Sequence, residues 1–431
     1  MRENIIKKVM VPAGFLAVVI IAVVVYVGLH RNKEASAPLN YSGIKGMNLE
    51  NVPPNYWNTD ATHKIAAAEN GYYYITDEDM LVYFDMDNKE EIPVCARPDC
   101  AHNSTSCDAC LKGCVVFNIY YYNGSLYYMP IENGMAKLCR ADPDGGSREI
   151  IGELLPCDNS SSIHLAFLGD YVYAFDKGTH LGSDVEYTEQ IIELSLKDGS
   201  RNVVYDVSGK SISVANVKGF GDKVMFTVIE SNKDDKGIIR VKSRGIFAYS
   251  QSGENVSQIT TEDVNDYYFD NNGDTFYYYV NGQGLYKSDI NSEQTELIFK
   301  ADKYCDFCNV SSDGRYIYLN NGMYCNYFHS IIDNEAKKYV VLDKEGNVVN
   351  EIPCPEALDM FFGDERYLFC LNMGEDRLMY IDKQNIESET EWKDVFDGPI
   401  YLLDWKNINK YKKRGGIMQE LKRVINNKKL I

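Results

Sequence analysis

Residues 163–207 contain IHLAFL (163–168), GDYVYAF (169–175) and, after an insertion, IIELSLKDGSRNVVYDV (191–207). The first two runs are apolar or aromatic and meet at Gly169-Asp170. The third is itself two apolar runs parted by Lys197-Asp198-Gly199-Ser200. Aromatic and β-branched residues suit a pleated, half-buried surface, and Gly and Asp at the breaks suit tight turns. The stretch therefore reads as four consecutive strands joined by hairpins.

The same unit recurs along the chain. A glycine followed by an aromatic or β-branched run appears at Gly71, Gly124, Gly169, Gly221, Gly273, Gly314 and Gly363, at intervals of 53, 45, 52, 52, 41 and 49 residues. Each run is followed by an apolar strand, a polar turn and another apolar strand, as in LVYFDMDNKEEIPV (81–94), LYKSDINSEQTELIF (285–299) and YVVLDKEGNVVNEI (339–352). Four-stranded units repeating at roughly 40–50 residues are the signature of a β-propeller, in which neighbouring sheets cover each other's faces. The expectation is an all-β propeller of seven four-stranded blades over residues 61–405, with Ile400–Trp405 as an extra closing strand. Composition agrees, since the 33 Tyr far outnumber the 17 Phe and 3 Trp, and Tyr favours strands with one wet end.

Charge is unevenly spread. The net −19 divides into +3 over residues 1–34, +8 over 406–431 and −30 between them. An acidic body of that size repels phosphate backbones, which excludes nucleic acid as its partner. The segment Val9–Leu29, VMVPAGFLAVVIIAVVVYVGL, is uncharged and long enough as a helix to cross a hydrocarbon core of about 30 Å. It is longer than a signal-peptide core, and the one small-residue site, Ala35-Ser36-Ala37, lies beyond a charged run. The reading is an uncleaved N-terminal transmembrane helix over 9–29, with 1–8 cytoplasmic, 30–60 an extracytoplasmic tether rich in Pro and Gly, and 61–405 the ectodomain. Residues 406–431 switch to helix-like spacing and are expected to be a basic amphipathic or disordered tail.

Gly-Asp-x-aromatic-Tyr units with paired Asp-x-x-Gly hairpins resemble the Tyr-rich, membrane-anchored propellers of clostridia-like Gram-positive bacteria, described as TolB-like or low-density-lipoprotein-receptor-like propellers of unknown function. The resemblance is one of pattern over residues 61–405. It implies a propeller held outside the cytoplasm.

Chemistry concentrates in one place. Val94-CARPDCAHNSTSCDACLKGC-Val115 holds five of the 12 cysteines and one of the six histidines. Cys95, Cys100, His102 and Cys107 form C-x4-C-x-H-x4-C, a three-thiolate, one-imidazole set of the kind that structural Zn²⁺ takes. The resembled propellers carry a similar Cys-x-x-Pro-x-Cys-x-His-x4-Cys run after the first blade, with Pro98 in place, whereas Cys110 and Cys114 exceed the pattern. Disulfides are the competing reading for an extracytoplasmic chain with an even cysteine count, at Cys107/Cys110 or Cys305/Cys308 for example, and free thiols are a third. A catalytic metal is disfavoured because the fourth position is filled.

Other features are bland. Acidic turns such as Asp142-Pro-Asp144-Gly lack the spaced carboxylates of a Ca²⁺ loop. No G-x-S-x-G, H-E-x-x-H, Walker A or βαβ dinucleotide motif is present, the remaining histidines are scattered, and no residue is assigned a catalytic role. The functional expectation is a cell-surface binding or scaffold protein that contacts an extracytoplasmic protein or glycan, with the insertions at 176–190 and 229–244 at blade edges as its contact points. The competing class is a cell-envelope glycan hydrolase or lyase whose site is assembled from several blades.

Overall fold

The computed structural model describes residues 39–394, apart from 48, 50–64, 77–78, 86–89, 103–104, 115–117, 159–161, 178–179, 234–238, 254, 271–272, 302–308, 321–337, 354–358, 364–365 and 373–376. The chain divides at Leu39, and everything below belongs to the unit that begins at Asn40. The expected transmembrane helix at 9–29, the closing strand Ile400–Trp405 and the basic tail lie outside the described residues. No helix among the described residues is long and apolar enough to cross a membrane.

Six antiparallel four-stranded sheets follow the order of the chain, each a meander. They are blade 1 (65–93), blade 2 (163–210), blade 3 (212–260), blade 4 (264–300), blade 5 (309–353) and blade 6 (359–394). Between blades 1 and 2 stands a five-stranded sheet, residues 120–156. The expectation of seven four-stranded blades is thereby corrected to six, and the reason is local. Asn133 and Gly134 both take positive φ, 55° and 74°, the conformation of a tight two-residue hairpin, and fold Ile131–Glu132 back onto Met135–Ala136 as an added strand.

The recurring glycine of the sequence sits in the turn between the first and second strands. Gly169, Gly221 and Gly273 take φ of 59°, 61° and 72°, a region that costs a residue with a Cβ roughly 1–2 kcal/mol. Burial then orders the strands radially. The first strand of blade 3, Ile212–Phe220, is buried at every position, whereas the fourth strand of blade 2, Arg201–Lys210, has no buried residue. First strands are therefore innermost and fourth strands form the outer rim.

Neighbouring sheets cover each other's apolar faces, as a propeller requires. Leu138, Leu154, Val172 and Leu194 join the five-stranded sheet to blade 2, and Phe175, Ile191, Val214 and Phe226 join blades 2 and 3. Phe220 meets Tyr268 edge-on between blades 3 and 4. The ring closes between blades 6 and 1, where the Tyr72 and Phe369 rings meet at 5.3 Å and 79°.

Two parts of the chain add to the ring. Residues Asn40–Leu49, within the expected tether, pack on blades 3 and 4. Asn40 N donates to Ile259 O at 2.7 Å, the Tyr41 hydroxyl bonds Ser288 Oγ at 2.9 Å and Thr295 Oγ1 at 2.8 Å, and Ile44 is buried. The described residues of the insertion at 229–244 lengthen the second and third strands of blade 3 to Lys223–Lys233 and Ile239–Ser250.

Candidate metal centre

In an antiparallel meander, the connections between second and third strands emerge at the same end as those leading to the next sheet. The cysteine segment is one of the latter, running from blade 1 to the five-stranded sheet, and it bonds to the turns of both. Leu81 N donates to Ala109 O at 2.7 Å and Leu111 N to Asp79 O at 2.7 Å, while Ile131 N donates to Gly113 O at 3.1 Å. Met80 and Cys110, and Cys114 and Pro130, form isolated bridges. Leu111 and Cys114 also pack into the apolar cluster shared by the two sheets.

Within this segment the structure brings all four expected ligands together. One donor atom from each of Cys95, Cys100, His102 and Cys107 lies within 4.8 Å of the others, and Nδ1 of His102 stands 3.5 Å from Sγ of Cys107. Metal–sulfur bonds of about 2.3 Å and metal–nitrogen bonds of about 2.0–2.1 Å in a tetrahedron place neighbouring ligand atoms about 3.5–3.8 Å apart, so the donor set fits a small, closed site. The short C-x-H spacing is accommodated by the backbone, since His102 takes φ of 52°, which turns the chain between the two ligands. Cys110 and Cys114 lie outside the cluster. Cys95, Cys100, Cys107, Cys110, Cys114 and Cys139 are free thiols, and Cys305 and Cys308 fall outside the described residues.

The thiols sit in unequal surroundings. Arg97 Nη2 donates to Cys100 Sγ at 3.5 Å, Ala109 N donates to Cys107 Sγ at 3.4 Å, and Arg97 Nε pairs with Asp108 Oδ2 at 3.2 Å. Burial acts to raise the Cys95 thiol, but hydrogen bonds from the Arg97 and Asp108 backbone and the Arg97 side chain outweigh it and leave the thiol lowered to about 7. Cys107 is pushed up to about 11, first by burial. Arg97 was not recognisable as part of the site from the sequence. The one hint was a lone cation two residues after a cysteine in a thiol-rich run. Such second-layer donors orient the ligands and moderate their charge.

No family model and no curated protein matches the chain. Among solved structures it is similar to oligogalacturonate lyase from Vibrio parahaemolyticus, at 13% identity over 73% of this chain and 86% of that one, with a TM-score of 0.45. It is also similar to TolB from Acinetobacter baumannii, at 16% identity over 74% and 75% of the two chains, TM-score 0.37. A chain of the nidogen/laminin complex gives 12% identity over 65% and 91%, TM-score 0.36.

Proposed function

We propose that the chain is a membrane-anchored, non-enzymatic binding propeller outside the cytoplasm, in which Cys95, Cys100, His102 and Cys107 hold a structural zinc ion. The observation that carries the metal is the convergence of four soft donor atoms within 4.8 Å on a segment that bonds to the turns of two sheets. A closed four-ligand site supplies folding energy rather than a reacting position. Zinc would fix the loop 94–114 across blade 1 and the five-stranded sheet, making a rigid face from an otherwise irregular segment. Rigid loops on a rigid scaffold are where recognition resides. The proposed anchor is Val9–Leu29 and the proposed partner an extracytoplasmic protein or glycan.

Elemental analysis of the purified full chain tests the metal. About one zinc per chain is expected, falling below one-tenth in Cys100→Ser or His102→Ala. Zinc-free protein with its cysteines oxidised would sink the proposal. Affinity capture with the full chain from solubilised envelope tests the binding reading: a defined protein or glycan is expected, and an ectodomain that turns over wall glycans would replace it.

A further inference from the structure

In the connection between the second and third strands of blade 2, of which residues 177 and 180–185 are described, Gly182 is held by buried polar groups. Gly182 N donates to Ser211 Oγ at 2.6 Å and to Ser231 Oγ at 3.0 Å, and the two serine hydroxyls bond each other. Both serines are only 7% exposed and belong to the blade 2–blade 3 junction and to blade 3 itself. Beside this anchor, Nδ1 of His180 bonds Oε1 of Glu189 at 2.6 Å, and the imidazole lies flat on Tyr187 with ring centroids 3.7 Å apart and planes 14° from parallel. Glu189 is 4% exposed and His180 is 27% exposed, so the carboxylate lies beneath the imidazole and the imidazole reaches solvent. Burial raises the Glu189 carboxyl and the bond from His180 opposes that rise.

Nδ1 of the imidazole is engaged by the buried carboxylate, and the other ring nitrogen, Nε2, meets no partner among the described residues. The buried network therefore holds one hydrogen-bonding ring edge in place. Around it stand the half-buried Tyr187 and, at the loop tip, Val185, whose 58% exposure is the highest among the described large apolar side chains. Asp184 and Glu186, both exposed, add carboxylates. An imidazole edge and carboxylates beside an aromatic and an apolar surface suit a ligand that brings hydroxyl groups on one edge and C–H groups on the other. The −30 charge of residues 35–405 disfavours an anionic polymer.

We propose that His180, Tyr187 and Val185 form a contact site for a neutral, hydroxyl-rich glycan, with Nε2 of His180 hydrogen-bonded to a sugar hydroxyl and Tyr187 and Val185 covering its C–H face. The proposal rests on the binding reading above and names its ligand class. Glu189, Ser211 and Ser231 are positioning residues that act through His180 and the loop.

Calorimetric titration of the full chain in detergent with chitotetraose tests it. Binding is expected, weakened about tenfold or more in His180→Ala and in Tyr187→Ala and unchanged in Val348→Ser on the outer strand of blade 5. A second readout does not depend on any variant folding: the ¹⁵N resonance of His180 Nε2 is expected to move on adding chitotetraose. Absence of binding, undiminished binding in both variants, a static Nε2 resonance, or a response at this site to tetralysine alone would each overturn the proposal. If any of these occurs while the full chain still captures a partner from the envelope, the glycan site fails and the binding reading survives. If the capture is blank as well, both fail.

Discussion

Lys218 and Asp266 face each other at 2.5 Å with both side chains 3% exposed, and they join the innermost strands of blades 3 and 4. Lys218 Nζ also donates to Tyr267 O at 2.9 Å, and Val310 N, on the innermost strand of blade 5, donates to Asp266 Oδ2 at 2.8 Å. One ion pair thus links three successive blades. The chain makes room for it with a bulge at Asn216, φ 52°, whose carbonyl accepts from the Tyr267 hydroxyl at 2.5 Å. A buried pair is costly to break and cheap to replace whole. Lys218→Met or Asp266→Leu alone is expected to cost about 3–5 kcal/mol in urea unfolding, and the double substitution far less than the sum. Additive costs would show that the two charges do not act as a pair. A milder case is Asp198, in the turn between the third and fourth strands of blade 2. Its carboxylate accepts from Ser200 N at 3.0 Å and Ser200 Oγ at 2.8 Å, and bonds from Ser200 and Ser195 lower its pKa to about 2. A depressed carboxyl stabilises the fold above its unfolded value near 3.9 and loses that contribution as pH falls toward about 2. Protection of the Ser200 amide, relative to its intrinsic exchange rate at each pH, should therefore fall between pH 4 and 2 in the wild type and stay flat in Asp198→Asn. A carboxyl NMR titration of Asp198 near its ordinary value would contradict this.

The cysteine segment behaves as an element without being a strand or a helix. Its own backbone is irregular, so its position depends on bonds to Asp79, Leu81 and Ile131 and, in the proposed reading, on zinc. Removing the metal should release this element alone. Amide exchange at Leu81, Leu111 and Ile131 is expected to rise sharply in chelator while the amides of Val224 and Phe226 in blade 3 keep their protection. Equal loss in both regions would mean that the metal supports the whole ring, and no change in either would mean that it supports neither. The clustering of Cys95, Cys100, His102 and Cys107 was legible in the sequence because three thiols and an imidazole within thirteen residues are rare in a chain whose other histidines are scattered. The repeat was legible for a different reason, because most of its glycines answer a backbone demand, as at Gly169 and Gly221. The fifth strand at Ile131–Glu132 was not, since a two-residue hairpin at Asn133-Gly134 leaves no alternation long enough to read. Neither were Lys218 with Asp266 or Gly182 with Ser211 and Ser231, which depend on how sheets pack.

At the scale of the whole molecule, stability depends on closure. Each sheet covers its neighbour, so an open array would leave two apolar faces bare, and the contact between blades 6 and 1 does more than its own area suggests. That contact includes Tyr72 on the second strand of blade 1 and Phe369 on the second strand of blade 6, 5% and 1% exposed. Tyr339 of blade 5 also donates to Phe369 O at 3.3 Å, so the closing residue is held from the side of the preceding blade as well. Phe369→Ala is expected to cost about 3–5 kcal/mol, as deletion of a buried aromatic does elsewhere in a core. Phe226→Ala, between blades 2 and 3, is the matched control, because Phe226 is equally buried but lies where the chain itself joins the two sheets. The two substitutions should differ in where the loss appears. Opening at the closure should raise amide exchange at both ends of the array, in blades 1 and 6, whereas the control should loosen blades 2 and 3 around it. A double-mutant cycle of Tyr72→Ala with Phe369→Ala should return a coupling of about 0.5–1.5 kcal/mol, the range for an edge-to-face aromatic pair. Zero coupling, together with exchange confined to blade 6, would mean that the ring is held shut by something other than this contact.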